Sequence, residues 1–480
     1  MRPEGFRLRR DLGFERVALV LSGGGALGAY EVGVFRALET LGLEPAIIAG
    51  VSVGATNAVV WVAHGFRTAR LEQIWRRLRA SSIGMRWVTL ALRAAGLVVM
   101  ILAAIEVVLT LAGSPELNFV ARLARHPERG EYGFVTLMIE SLGWFVIGLV
   151  GVAMAMLTPR VEDLLARVPA GDPETWRRWL GGTLLVGIAL YVGVAMSDLP
   201  WPWRLHTWLL LMGGAIWLFN HPGHHRDTLR NLFLRMLPET RGRGLWRSGA
   251  QRRLIERAIA KGDPGALVSG KTHLILSACS VQDGMLHYFI NWPDPSPGFR
   301  ERIERALGEV VVLSRPHEVV AAAVASGTLP VLFEPVRFHG HDYLDAGLFS
   351  NQPLHAVVAD GADAILLVLV SPSAGPRKLP RHANLIELGM RIQELANWRD
   401  LQTELARLPS GWTREGDPAR VCVVEPHAAL PGSQFVFDPA NMAELIARGE
   451  ADAWSALERA GWIEASPSPK SERRHPARRE

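Results

Sequence analysis

Gly50-Val51-Ser52-Val53-Gly54 sets a serine between two glycines, at the end of an apolar run and just ahead of a helical pattern. That order describes a strand-to-helix elbow with Ser52 as an attacking hydroxyl, since only glycine tolerates the close backbone approach such a turn demands. Taken by itself the pentapeptide also suits an ordinary glycine-rich turn, so its context decides. Upstream, Val17 to Leu21 is a short buried-strand run, and Gly23-Gly24-Gly25-Ala26-Leu27-Gly28 opens a helix with Ala29, Val32, Phe35, Leu38 and Leu41 at helical spacing. Pro45 to Ala49 supplies a second strand and Ala55 to Ala63 a helix after the serine. The unit is βαβ, which makes the fold class α/β.

The glycine loop admits two chemistries. Gly23, Gly25 and Gly28 satisfy a dinucleotide fingerprint, which expects an acidic residue at the end of the second strand to hold a ribose. Here that strand ends in Ala49-Gly50 and runs straight into Ser52. Consecutive glycine amides at a helix N-terminus also suit an oxyanion, each donor being worth about 2.7 to 4 kcal/mol in acyl transfer. Far downstream, Tyr343-Leu344-Asp345-Ala346-Gly347 follows an apolar strand and precedes Asn351-Gln352-Pro353. Asp345 alone reads as a turn aspartate.

Together the three ordered motifs resemble the patatin-like phospholipase family. The resemblance runs through Leu21 to Leu38, Ile48 to Ala58, Ala325 to Pro335 and Tyr343 to Gly361, and more weakly through Asp438 to Leu457. It implies a patatin-like sheet with flanking helices and a Ser52–Asp345 dyad with no histidine. It implies an oxyanion hole from Gly23, Gly24, Gly25 and Val53, with Gly28, Gly50, Gly54, Ala346 and Gly347 shaping the backbone. Hydrolysis of a phospholipid or other acyl ester lipid is the implied activity, in the manner of a phospholipase A or lysophospholipase. No cofactor and no metal are called for. Two positions depart from the family: Leu27 stands where Arg or Lys is common, and Ala346 where Gly is common. Leu27 removes a cation near the loop but no backbone donor, so it bears on substrate preference.

The middle of the chain changes character. Among 480 residues, 49% hydrophobic, four apolar runs stand out at Trp87 to Gly113, Phe134 to Leu157, Leu180 to Met196 and Trp201 to Phe219. A bilayer core of about 30 Å needs roughly 17 residues or more of helix, so about four membrane spans are expected. Trp176, Trp179, Trp201 and Trp203 sit at run ends like interfacial anchors, while Arg93 can snorkel and Glu106 and Glu140 must face a bundle interior. Arginines crowd both flanks, from Arg67 to Arg86 and from Arg226 to Arg253, so the positive-inside rule puts both on the cytoplasmic side. The expected organisation is a first catalytic part at 1–86, a transmembrane helical insertion at 87–220, a second catalytic part at 221–464 and a disordered basic tail at 465–480. The expected product is a multi-pass protein of the cytoplasmic membrane with its catalytic domain in the cytosol. Net charge is +5, but basic residues flank apolar runs rather than alternating with aromatics, which favours anionic lipid over nucleic acid. Cys279 and Cys422 are the only cysteines, too far apart in sequence for a disulfide framework or a metal-spaced pair. The oligomeric state is not legible.

Other readings compete. His221, His224, His225 and Asp227 could bind a metal, as could His339, His341 and Asp342, which alternatively contribute to a triad. A Ser-Asp-His triad would draw on His355, His382 or His427, which follow Asp345 in the required order. A catalytically silent membrane scaffold is the non-enzymatic alternative. Elsewhere the pattern predicts strands at Thr272 to Ser280, Met285 to Ile290, Val311 to Leu313 and Ala364 to Val370, with helices around Glu318 to Ala325, Asn384 to Leu408 and Asn441 to Leu457.

Overall fold

A computed structural model describes residues 6–9, 11–85, 248–306, 308–375, 385–412 and 418–465, with isolated positions at 96–104, 143–151, 244 and 246. By its packing the chain divides into two units, residues 1–85 with 246–480, and residues 86–245. In the first unit the chain begins with β1 (Phe6–Leu8), β2 (Val17–Leu21), α1 (Ala29–Leu41), β3 (Ile47–Gly50), α2 (Val53–Ala63) and α3 (Ala69–Trp75). It resumes with α4 (Gly249–Ile259), β4 (His273–Ser280), β5 (Leu286–Ile290), α5 (Pro297–Arg305), β6 (Gly308–Val312) and α6 (Pro316–Ser326). It finishes with β7 (Val336–Phe338), β8 (His341–Asp345), α7 (Leu354–Ala359), β9 (Ala364–Val368), α8 (Leu385–Ala406), β10 (Val421–Val424), α9 (Pro439–Arg459) and β11 (Ile463–Ala465).

Nine of these strands form one mixed sheet, in the order β10-β9-β2-β3-β4-β5-β6, with β8 alongside β4 and β7 paired to β8. The central strands are apolar at every position because both faces are covered. Leu19, Leu21, Ile48, Leu366 and Val368 face the layer built by α1, α2, α6 and α9. Ala18, Val20, Ile47, Ala49, Ile365 and Leu367 face the layer of α5, α7 and α8. Each fully buried Leu or Ile adds about 1.5 to 3 kcal/mol, so this double-sided strand core is the main attraction holding the layers.

Register places the site. β3 runs parallel beside β4 only as far as Gly50 opposite Leu276. Two residues further along β4, β8 arrives from the other direction and ends with Asp345 opposite Ala278. The elbow after β3 and the end of β8 therefore meet at one seam on the same edge of β4.

The four expected membrane runs lie outside the described residues, apart from positions 96–104 and 143–151 of the first two. Among the described residues no helix is long and apolar enough to cross a membrane. The described ones, 96, 99–101, 103–104, 143 and 146–151, are helical, and a side chain at Gly151 would meet the Gly96 carbonyl at 2.6 Å, while Ile101, Leu149 and Val150 are exposed. Ala465, expected in the tail, pairs with Phe6 in the β1–β11 ribbon, and the rest of the tail lies outside the described residues.

Candidate active site

Ser52 occupies the N-cap of α2 at φ 55°, ψ −122°, a positive φ that a side chain rarely adopts. Such a conformation costs on the order of 1–3 kcal/mol and is held by its surroundings. Those surroundings explain the two flanking glycines. A Cβ at Gly50 would sit 2.7 Å from the Ala55 amide, and one at Gly54 would sit 2.7 Å from Leu21 Cβ and 2.8 Å from its carbonyl. The Ser52 amide donates to Ser326 Oγ at 2.8 Å, which ties the elbow to the end of α6.

The glycine loop wraps the serine for the same steric reason. A Cβ at Gly23 would collide with Ser52 Cβ at 2.8 Å and with Asn351 Oδ1 at 2.6 Å. At Gly24 it would fall on Val370, at Gly25 on the Gln434 carbonyl and at Gly28 on Val53. The Gly23 N–H donates to Asn351 Oδ1 at 2.8 Å and is thereby committed. The amides of Gly24, Gly25 and Val53 meet no acceptor among the described residues. Leu27 is half-buried and its amide closes the turn on the Gly24 carbonyl at 3.1 Å.

Asp345 is 1% exposed. Its Oδ1 accepts the Gly347 amide at 2.7 Å, whereas Oδ2 is buried with no partner of full hydrogen-bond geometry among the described residues. Burial pushes the carboxyl up to about 7, against the downward pull of the Ser52 hydroxyl and the Gly347 amide. Gly347 is small for a local reason, since a Cβ there would lie 3.0 Å from both Asp345 Oδ1 and Asn351 Oδ1. Ala346, buried in the short turn after β8, fits without a glycine.

No histidine among the described residues hydrogen-bonds to Ser52 or Asp345. His355 has Nδ1 on Glu404 Oε2 at 2.7 Å and Nε2 on the Tyr288 hydroxyl at 3.2 Å. His427 is exposed beside Asp452, and His339 lies 3.8 Å from Glu318. Asp342 accepts from Gln282 Nε2 at 2.9 Å. His382, and the group His221, His224, His225 and Asp227, lie outside the described residues.

Three contributors had only faint sequence signals. Asn351 was visible as part of Asn-Gln-Pro but carried no role until its contact with Gly23. Ser326 lies in the Ala325 to Pro335 stretch of the family resemblance but carries no role there until its contact with the Ser52 amide. Glu31, wholly buried on α1, has its carboxyl raised to about 8 by burial and accepts Asn57 Nδ2 at 2.8 Å, while Asn57 Oδ1 takes the Trp75 indole at 2.9 Å. Asn57 and Trp75 line a cavity of about 120 Å³ that opens beside Ser52 and Val53. Its other walls include Val60, Leu71, Leu254 and Phe435, which suits an aliphatic chain rather than a polar ligand.

The profile of a family described as patatin-like phospholipase matches residues 19–358. Lysophospholipase nte1 of Aspergillus terreus is 40% identical over 83 residues, 17% of this chain and 5% of that protein. Neuropathy target esterase sws of Drosophila melanogaster is 40% identical over 55 residues, 12% of this chain and 4% of that protein. The chain thus matches only about a twentieth of the length of these relatives. Among solved structures, VipD from Legionella pneumophila aligns over 96% of this chain and 70% of its own, with 13% identity and a TM-score of 0.35.

Proposed function

From the premise that this chain belongs to the patatin-like phospholipase family, a family of lipid acyl hydrolases, we propose that it cleaves the acyl ester of a membrane lipid with a Ser52–Asp345 dyad. The observation that carries the reading is the unpartnered Oδ2 of buried Asp345 beside a serine held at positive φ. In the proposed reaction Asp345 takes the Ser52 proton as Oγ attacks the ester carbonyl. The amides of Gly24, Gly25 and Val53 hold the developing oxyanion. The leaving alcohol recovers the proton from Asp345, and water then attacks the acyl-enzyme with Asp345 again as base. An unperturbed aspartate near 3.9 would be a feeble base; one near neutrality is matched to the task. The apolar cavity receives the acyl chain, and both a phospholipase A and a lysophospholipase would use it.

We further propose that residues 87–220 are a membrane insertion holding this domain against its substrate on the cytoplasmic side. Four apolar runs with tryptophans at their ends and arginine-rich flanks support it. So does the close approach of glycines 96 and 151 beneath exposed aliphatic side chains, a packing that membrane helices favour.

The test is hydrolysis of phospholipid and lysophospholipid by the purified full chain. Ser52→Ala and Asp345→Asn should each lower kcat by at least about 10³-fold, as for loss of a nucleophile or its base. Activity that survives Asp345→Asn but disappears on changing His355 or His427 would select a triad instead. Absence of hydrolysis by a folded wild-type chain would select the silent scaffold.

A further inference from the structure

At the far end of the β4–β5 hairpin, away from the cavity lining, four side chains converge from four segments. Asp283 lies in the β4–β5 turn, His287 on β5, Glu309 on β6 and His341 at the start of β8. Asp283 Oδ2 is 3.1 Å from His287 Nε2 and 3.5 Å from His341 Nδ1, and Glu309 Oε2 is 3.3 Å from His287 Nε2. Asp283, His287 and His341 present donor atoms that all lie within 4.8 Å of one another. For bonds of 2.0–2.1 Å, the ligand atoms of a tetrahedral zinc site are separated by about 3.3–3.4 Å. The observed spacings bracket that edge.

The remaining atoms of these groups are already occupied in a way that aims the free ones inward. Asp283 Oδ1 accepts the Met285 amide at 2.9 Å, which leaves Oδ2 for the cluster. Buried His287 has Nδ1 on the Tyr343 hydroxyl at 3.0 Å, which fixes the ring and leaves Nε2 inward. Orientation of a ligand by such outer contacts is what a metal site requires. His341 Nδ1 contacts Ser280 Oγ at 2.9 Å, and that hydroxyl also stands beside the Asp283 carboxylate. It can turn its proton to Asp283 when the imidazole nitrogen is engaged.

We propose that Asp283, His287, Glu309 and His341 form a structural site for a divalent cation of the zinc class. Two imidazoles with two carboxylates match that borderline ion better than calcium or magnesium, which prefer all-oxygen shells. Bound there, the cation cross-links the β4–β5 turn to β8, the strand that ends in Asp345. The site is independent of the hydrolase reading, since none of its four residues touches Ser52.

The experiment is calorimetric titration of Zn²⁺ into the chelator-stripped full chain, with Co²⁺ absorption as a readout of coordination. Expected are one equivalent bound through this cluster, intense visible Co²⁺ bands of tetrahedral type, and a Kd raised at least about 10-fold in both His341→Ala and Asp283→Ala. Both positions are partly solvent-exposed, so the apo variants should stay folded, with His341→Ala melting close to apo wild type and Asp283→Ala somewhat lower for its lost Met285 contact. A combined change of His221, His224 and His225 to Ala should leave the equivalent intact. No stoichiometric binding by wild type, weak octahedral Co²⁺ bands, or an equivalent lost only in the triple variant would each overturn the site. Should the two single variants fail to fold, Glu309→Gln on the exposed strand edge serves instead, and binding unchanged by it together with weak Co²⁺ bands overturns the proposal.

Discussion

At the scale of single residues, the proposed chemistry rests on one buried carboxyl, and its protonation gives two pH predictions of opposite sense. As a general base Asp345 must be ionised, so kcat/KM should rise with pH through about 7 and level off above it. Stability should move the other way. Between about pH 4, where the unfolded carboxyl ionises, and about 7, where the folded one does, the native state holds the extra proton and stability falls as pH rises. Asp345→Asn lacks that buried charge, so its melting temperature should exceed wild type by a margin that grows from pH 4 to pH 7 and is constant beyond. A flat kcat/KM between pH 5.5 and 8.5 would remove Asp345 as the base. Asn351 makes a separate residue-scale case. Its Oδ1 is the acceptor for the Gly23 amide, and Asn351→Ala strands a buried donor worth about 1–3 kcal/mol. Steady-state kinetics should show kcat lowered about 10- to 100-fold if that energy is lost from the positioned loop. An unchanged kcat would mean the loop keeps its place without the contact.

At the scale of elements, α1 and α9 cross at a contact that only glycine permits. A Cβ on Gly33 would land on the Ile446 carbonyl, and one on Gly449 on the Tyr30 carbonyl, backbone against backbone with no side chain to yield. Gly449→Ala should therefore cost about 1–3 kcal/mol or more, seen as a lower urea midpoint with unchanged slope. Because α1 begins where the glycine loop ends, the same change should lower activity at temperatures where the fold is intact. This crossing was hidden in the sequence. Gly33 and Gly449 are single glycines inside helical patterns, and nothing local says that they face each other across more than four hundred residues. The elbow, the glycine loop and the Asp345 turn were legible because their glycines, required by contacts of Gly54 with Leu21, Gly23 with Ser52 and Gly347 with Asp345, fall within short motifs. Strand Val17–Leu21 was legible from its unbroken apolar run, whereas β10, four residues set directly between the charged Arg420 and Glu425, was not predicted. Helix α5 did carry a start signal, the Ser296 cap before Pro297, outweighed by the polarity of the helix itself. Seam geometry stayed out of reach, since it depends on β8 entering beside β4 just beyond Gly50, a long-range register no local pattern encodes.

At the scale of the whole molecule, the register imposes a constraint on whatever residues 86–245 do. Ser52 precedes that segment and Asp345 follows it, yet β3 and β8 lie along the same edge of β4 and belong to one sheet. A chain that leaves after Met85 and returns at Trp246 to complete this sheet must come back to the side it left. Any number of bilayer crossings in between must therefore be even, a conclusion that owes nothing to hydropathy. In the proposed topology, which rests separately on arginine counting, both flanks lie on the cytoplasmic side. Reporter fusions after Arg79 and after Arg247 should accordingly fall on the same, cytoplasmic side, and labelling of engineered cysteines in the first and second connections between the four runs should alternate between outside and inside. Reporters on opposite sides would be incompatible with the sheet itself and would sink the proposed dyad along with the insertion. Reporters on the same side, with every connection labelled from the cytosol, would keep the dyad and remove the membrane spans.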